Sequence, residues 1–195
     1  MIFARRRRLP LLSRYILVQR YAHIQPFLGR RVLDVGCSNA YLASLLPADA
    51  EYIGLDGSPA LLEQGRRFHP GRRLVQLDLE RDELPADIRD SRFDTVAMMA
   101  LLEHLAAPAA LVAALAPLLS PGGRLIITTP SPLGHRVHRA GAALGLFYHE
   151  AANDHRSMLS LAVLRGLAAA AGLEIEVCRT FALGCNQLLV ARRPG

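Results

Sequence analysis

Apolar residues recur at roughly helical spacing from Leu11 to Ile24, which predicts a helix. Beyond it the pattern shortens into compact apolar runs separated by small and charged residues. "RRVLDV", residues 30–35, reads as the first core strand, and residues 40–46 as a helix stopped by Pro47. "EYIGLD", Glu51–Asp56, is a second strand, followed by Ser58 as a helix cap and Pro59 at the first helical position. That helix ends at Phe68, before Pro70-Gly71. "RRLVQLD" closes a third strand on Asp78, and the apolar run "RFDTVAMMA", 92–100, suits a central parallel strand. Residues 109–119 are expected to be helical, "SPGG" at 120–123 to turn, and "RLIITT" to form a fifth strand. The stretch 130–156 is irregular, rich in His, Gly and Pro, with room for a short helix. Ser160 then caps a helix to Ala171, Gly172 stops it, and "LEIEVCRT" and "NQLLVAR" are spaced to pair as a hairpin.

Strands alternating with helices, joined by crossovers of a dozen or more residues, predict an α/β fold. It is a doubly wound, mostly parallel sheet with helices on both faces and an antiparallel edge from the closing strands. The 195 residues suit one domain, 30–195, preceded by a basic arm and helix over 1–29. A hydrophobic fraction of 51% against 21% charged residues is globular composition and excludes a disordered chain. The net charge of +6 is uneven, because Arg5 to Arg8 place four positives at the start. Such an arm is a solvated terminus or a contact for anionic lipid, nucleic acid or an acidic substrate. Pro10 and Arg14 interrupt any apolar signal region, and the apolar stretch 96–119 is broken by Glu103, His104, Pro108 and Pro117, so a cytoplasmic protein is expected. Cys37, Cys178 and Cys185 have no metal-ligand spacing and make no disulfide framework.

In such sheets ligands bind outside the carboxyl ends of the strands. Those ends carry Asp34, Asp56, Asp78, the stretch after Ala100, and Thr128-Thr129-Pro130, all facing one crevice. Asp56 follows Gly36 by 20 positions, the offset at which an acid can accept both hydroxyls of a ribose. Asp34 discriminates between ligands. A pyrophosphate site needs backbone N–H groups and no acid directly before its first glycine. An acid there suits a ligand with a positive charge, and S-adenosylmethionine carries an α-ammonium and a sulfonium.

"VLDVGCSNAYLASLLP", "YIGLDGSP", "VQLDLE", "FDTVAMMALLEHL" and "SPGGRLIITTP" resemble, in order and spacing, the successive motifs of class I S-adenosylmethionine-dependent methyltransferases of the small-molecule type. The resemblance covers about residues 30–130. It implies a seven-stranded sheet whose last strand is antiparallel. It assigns the loop of Asp34, Gly36, Cys37 and Ser38 to the methionine part of the cofactor, Asp56 and Gly57 to the ribose, and Asp78 and Leu79 to the adenine. Ala100, Leu101 and the residues up to His104 would line the methyl-transfer face. The family turn is usually Asp-x-Gly-x-Gly-x-Gly, and here Ser38 and Ala40 replace the second and third glycines, where left-handed backbone or close approach is needed.

Methyl transfer is an in-line displacement in which the protein mainly positions and desolvates, and a base is needed only for a protonated acceptor. His104 in "LLEHL" and His155 in "NDHRSMLS" are the candidates for that base. Residues 130–157 would cap the acceptor pocket, and "AGAALGLFYHE" within them is apolar, which points to a hydrophobic or amphiphilic small molecule. A protein that binds the cofactor without turnover is the rival reading, kept open by Ser38 and Ala40. A nucleic-acid methyltransferase would show an Asn/Asp-Pro-Pro-Tyr-type motif after the fourth strand. The chain has none there, so no stable nucleic-acid partner is expected.

Overall fold

A computed structural model describes residues 11–143 and 159–195. The strands are β1 (Arg31–Val35), β2 (Glu51–Asp56), β3 (Arg73–Gln76), β4 (Phe93–Met99), β5 (Leu119–Pro130), β6 (Glu174–Phe181) and β7 (Asn186–Arg192). They form one sheet in the order β3-β2-β1-β4-β5-β7-β6. The first five run parallel, and β7 runs antiparallel to both β5 and β6. The strand order reverses between β1 and β4, so the crevice of a doubly wound sheet opens there.

Among the described residues six α-helices accompany the sheet: α1 (Leu11–Ile24), α2 (Pro59–Phe68), α3 (Ala86–Arg89), α4 (Pro108–Leu115), α5 (Pro132–Ala143) and α6 (Leu161–Ala170). Both faces of the central strands are apolar because both are covered. One layer joins Leu33, Val35, Val96 and Met98 to Val112 and Leu115 of α4 and Leu164 and Ala168 of α6. The other joins Val32, Ala97, Ile126 and Val190 to Ile24 of α1 and Leu62 of α2. Alternation along β1 therefore turns Asp34, which shares the parity of Val32, toward the α1 side.

The caps form as their sequence demands. Ser58 Oγ accepts from Leu61 N at 3.4 Å, and Ser160 Oγ accepts from Val163 N at 3.3 Å. Two local expectations need correction. Residues Tyr41–Leu45 make a 3-10 turn, not an α-helix, because Ala40 enters it from a left-handed conformation and Pro47 closes it within two turns. Ser120–Gly123 do not separate a helix from a strand. They bulge within β5, whose pairing with β4 jumps from Phe93↔Leu119 to Thr95↔Arg124, and Gly122 N and Gly123 O bond to Arg193.

Candidate functional site

The turn after β1 is closed by its own hydrogen bonds. Gly36 N and Cys37 N both donate to Leu55 O, at 2.8 and 2.9 Å, Ser38 N donates to Asp56 Oδ2 at 2.8 Å, and Ala40 N donates to Cys37 O at 2.8 Å. A pyrophosphate cradle needs such amides free, so the turn is not built as one. Gly36, Ser38 and Ala40 all lie in the left-handed region, with φ of 72°, 53° and 60°. The glycine pattern of the family is thus kept in backbone geometry while two of its glycines are gone, at a cost of about 1–2 kcal/mol for each side chain so held. A Cβ on Gly36 would also meet Leu101 Cδ1 at 2.8 Å, so that side chain would have to shift to make room. Cys37 is buried under the turn, where its Sγ would lie 2.7 Å from a Cβ on Gly54, and burial raises its thiol pKa.

A cavity of about 250 Å³ opens above the turn, lined by Leu17, Arg20, Tyr21, Asp34, Ser38, Tyr41 and Met99, among others. Asp34 is 2% exposed. Its Oδ2 accepts from Tyr52 Oη at 2.7 Å, while Oδ1 is buried with no donor. Burial pushes its pKa up to about 7, against the lowering effect of the Tyr52 bond. An orphaned carboxylate oxygen in a cavity is a seat for a cation.

Across the cavity α1 supplies Arg20, whose Nε donates to Asn186 Oδ1 at 3.0 Å. Burial lowers its pKa, countered by the charge of Glu103. The rings of Tyr21 and Tyr41 meet at 4.5 Å and brace α1 against the turn. None of Leu17, Arg20 and Tyr21 was singled out by the sequence, where they read as one more amphipathic helix. The signal available was an arginine on the otherwise half-buried face of that helix.

The other expected residues divide. Asp56 ends β2 facing the turn, with Oδ2 on Ser38 N and Oδ1 on Ser58 N, both at 2.8 Å, and Gly57 beside it is exposed. Asp78 lies two residues past the end of β3, exposed, with Oδ1 accepting from Glu80 N at 3.0 Å, while Leu77 is buried and Leu79 half-buried next to it. Ala100 is left-handed, φ 53°, and its N donates to Thr128 O at 2.8 Å, which turns the chain toward Leu101 and the 3-10 turn Leu102–His104. Within that turn Glu103 is 3% exposed, accepts from Thr129 Oγ1 at 3.0 Å through Oε2 and leaves Oε1 without a donor. Burial raises its pKa, with Arg20 acting in the opposite direction. His104 is half-buried on the same turn. His155 lies outside the described residues, as do Arg5 to Arg8 and the second half of the expected cap, 144–157, while its first half forms the end of β5 and α5.

Comparison with known proteins identifies the family and the fold. A family model described as a methyltransferase domain matches residues 4–177. A ubiquinone biosynthesis O-methyltransferase of Xanthomonas euvesicatoria is 32% identical over 155 residues, 76% of this chain and 64% of that one. The chain spans about half the length of the curated relatives it matches. Among solved structures, magnesium protoporphyrin IX methyltransferase from Synechocystis PCC 6803 superposes with a TM-score of 0.71 at 20% identity, covering 98% of this chain and 91% of the other. An S-adenosylmethionine-dependent methyltransferase from Mesorhizobium loti does so at 0.67 and 20%, covering 90% and 96%. At such identities the superpositions speak for the fold.

Proposed function

The chain belongs to the class I S-adenosylmethionine-dependent methyltransferases, and on that premise we propose that it methylates a hydroxyl group of an apolar or amphiphilic small molecule. The observation that supports cofactor binding most directly is the cavity with opposite charges on its two walls. Among the described residues Asp34 Oδ1 has no donor, and the hydrogen bond of the Arg20 guanidinium is made through Nε. An amino-acid zwitterion fits between them, its ammonium on Asp34 and its carboxylate on Arg20. A volume near 250 Å³ suits that arm of the cofactor. Asp56 keeps a second lone pair on each oxygen for ribose hydroxyls, and Leu77 and Leu79 offer apolar walls for the adenine, with Asp78 at their edge.

Bound there, S-adenosylmethionine supplies a methyl group already activated by a sulfonium. The remaining work belongs to the chain. Arg20, Asp34 and Asp56 fix the donor's position, Met99 and Leu101 bring apolar side chains to the end of β4 where the methyl group would lie, and α1 excludes water from above. A hydroxyl acceptor must lose a proton, and we assign its removal to His104 or to His155. The O-methyltransferase relatives support oxygen as the methylated atom. Residues 130–157 are proposed as the acceptor cap. The three cysteines are free, which is compatible with a reducing, cytoplasmic setting, and no helix among the described residues is long and apolar enough to cross a membrane.

Thermal unfolding with S-adenosylmethionine, S-adenosylhomocysteine and NAD tests the reading. Ligand at about 100 times its Kd stabilises by about 2.7 kcal/mol, roughly 5–11 °C in Tm for a domain of this size. The two adenosyl ligands are expected to give that shift in the wild type and none in Asp56→Ala, and NAD none in either. A shift with NAD, or none with the adenosyl ligands at millimolar concentration, overturns it. Binding without S-adenosylhomocysteine formation across a panel of apolar phenols would favour the non-catalytic rival.

A further inference from the structure

The turn between β6 and β7 is built against its own sequence. Ala182, Leu183 and Gly184 are left-handed in succession, with φ of 50°, 56° and 80°. Leucine is disfavoured there on backbone grounds, and asparagine or glycine would be the ordinary choice. Burial does not offset the cost, because Leu183 is 90% exposed, the most exposed large apolar residue described. Neither the backbone nor the core favours leucine at this position.

The turn is held rigidly. Gly184 N and Cys185 N bond back to Phe181 O and Ala182 O, both at 3.1 Å, and Ser131 N donates to Cys185 O at 3.0 Å. Ser131 stands directly ahead of α5, and the first turns of α5 extend the apolar surface. A Cβ on Gly184 would sit 3.5 Å from Leu133 Cδ2, Leu133 is 51% exposed, and Val137, one helical turn on, is 39% exposed. Arg136 between them is exposed and has no carboxylate partner among the described residues. Residues 130–143 contain Arg136, Arg139, His135 and His138 and no acid, and none lies between 177 and 195.

We infer that this tip, Leu183 with Leu133 and Val137, inserts into the surface of an anionic lipid bilayer. The apolar area is a protruding point with a short flank, far from the roughly 800 Å² per partner of a stable protein interface. A few inserted apolar side chains beside cations are enough for reversible interfacial binding. A net charge of +6 favours an anionic surface. Asn186 beside the tip pairs with Pro130 at the carboxyl end of β5, the same edge of the sheet that carries Asp34 and Asp56. Docking would therefore face the site toward the bilayer, from which an apolar acceptor enters. That use rests on the acceptor class proposed above, whereas the binding itself does not.

Flotation of the full chain, without any adenosyl ligand, with vesicles of 70% phosphatidylcholine and 30% phosphatidylglycerol tests it against pure phosphatidylcholine. Wild type is expected to float with the anionic vesicles. Leu183→Asn, which relieves the backbone as it removes the apolar group, is expected to fold at least as stably and to lose about tenfold in partitioning or more. Ile175→Asn, at an exposed β6 position paired with Ala191 at the other end of the hairpin, is expected to float as wild type does. Three results overturn the inference: wild type floating with neither vesicle, Leu183→Asn floating undiminished, or concentration-dependent self-association that Leu183→Asn abolishes without vesicle binding. Because no cofactor is present, failure here leaves the thermal-shift test of methyltransferase function unaffected.

Discussion

Replacing Asp34 by asparagine removes a charge while keeping the side chain's shape, and so separates what the site costs from what it does. In the free protein the carboxyl is 2% exposed with its pKa pushed up to about 7, mainly by burial. The unfolded chain ionises the same group near pH 4. Below about pH 4 both states hold the proton and the group does not weaken folding. As pH rises toward 7 the unfolded state releases its proton first, so stability falls, and above 7 the penalty levels off. At 1.36 kcal/mol per pKa unit the full penalty reaches at most about 4 kcal/mol. Asparagine does not titrate, and its Oδ1 can still accept from Tyr52 Oη. Denaturant unfolding should therefore find Asp34→Asn more stable than wild type by up to about 4 kcal/mol at pH 8, but by only about 1.5 kcal/mol at pH 5. Calorimetric titration with S-adenosylmethionine should show the opposite ranking, with affinity lower by about 10–100-fold for one lost charged hydrogen bond. Equal pH dependence in the two proteins would refute the desolvation argument, and undiminished affinity would refute the ammonium seat.

Tyr52→Phe removes the one donor to Asp34, so the carboxyl pKa should rise further and the loss of stability should move to higher pH, read from the same denaturation series. Ser38→Gly releases an exposed left-handed serine and should raise stability by about 0.5–1 kcal/mol after the glycine's unfolded-state entropy is counted, or about 1–4 °C in Tm. Ala40→Gly relieves the same strain but exposes core around a fully buried methyl group worth about 0.8 kcal/mol, so its Tm should hardly move. Arg20→Met should weaken S-adenosylmethionine binding about 10–100-fold, with Arg20→Lys in between because a point charge replaces a planar fork. Equal affinity for Arg20→Met and wild type in calorimetry would remove α1 from the binding site.

The parts of the fold legible in the sequence were those set by burial on both faces. β1, β4 and β5 carry the short apolar runs Val32-Leu33, Val96–Met99 and Leu125–Ile127, and the crossovers between them leave little choice of sheet order. The expected antiparallel closing strand was legible because only a short turn separates β6 from β7. The irregularities within elements were not legible. Ser120–Gly123 look like a turn, and what keeps them in β5 is pairing of Gly122 and Gly123 with Arg193, a partner about 70 residues away. At Tyr41–Leu45 the periodicity is that of an α-helix, and a left-handed start at Ala40 leaves space only for a tighter turn.

The same distinction runs through the site. Asp34 and Asp56 were legible because strand ends place them, and strand ends follow from apolar runs. Arg20 was not, because a helix's periodicity shows that it has an inner face and not what that face covers. The structure connects the two. Val32 and Ile24 share one apolar layer, and Arg20, one turn before Ile24 on α1, lines the same cavity as Asp34. Packing of ordinary core residues is thus what sets a cation opposite a buried, unpaired acid. Burial of Asp34 weakens folding as pH rises from about 4 toward 7, and the Tyr52 hydroxyl relieves only part of that cost. On the proposed function a zwitterionic ligand would relieve the rest, so the destabilisation carried by Asp34 and the affinity of the site would have one cause.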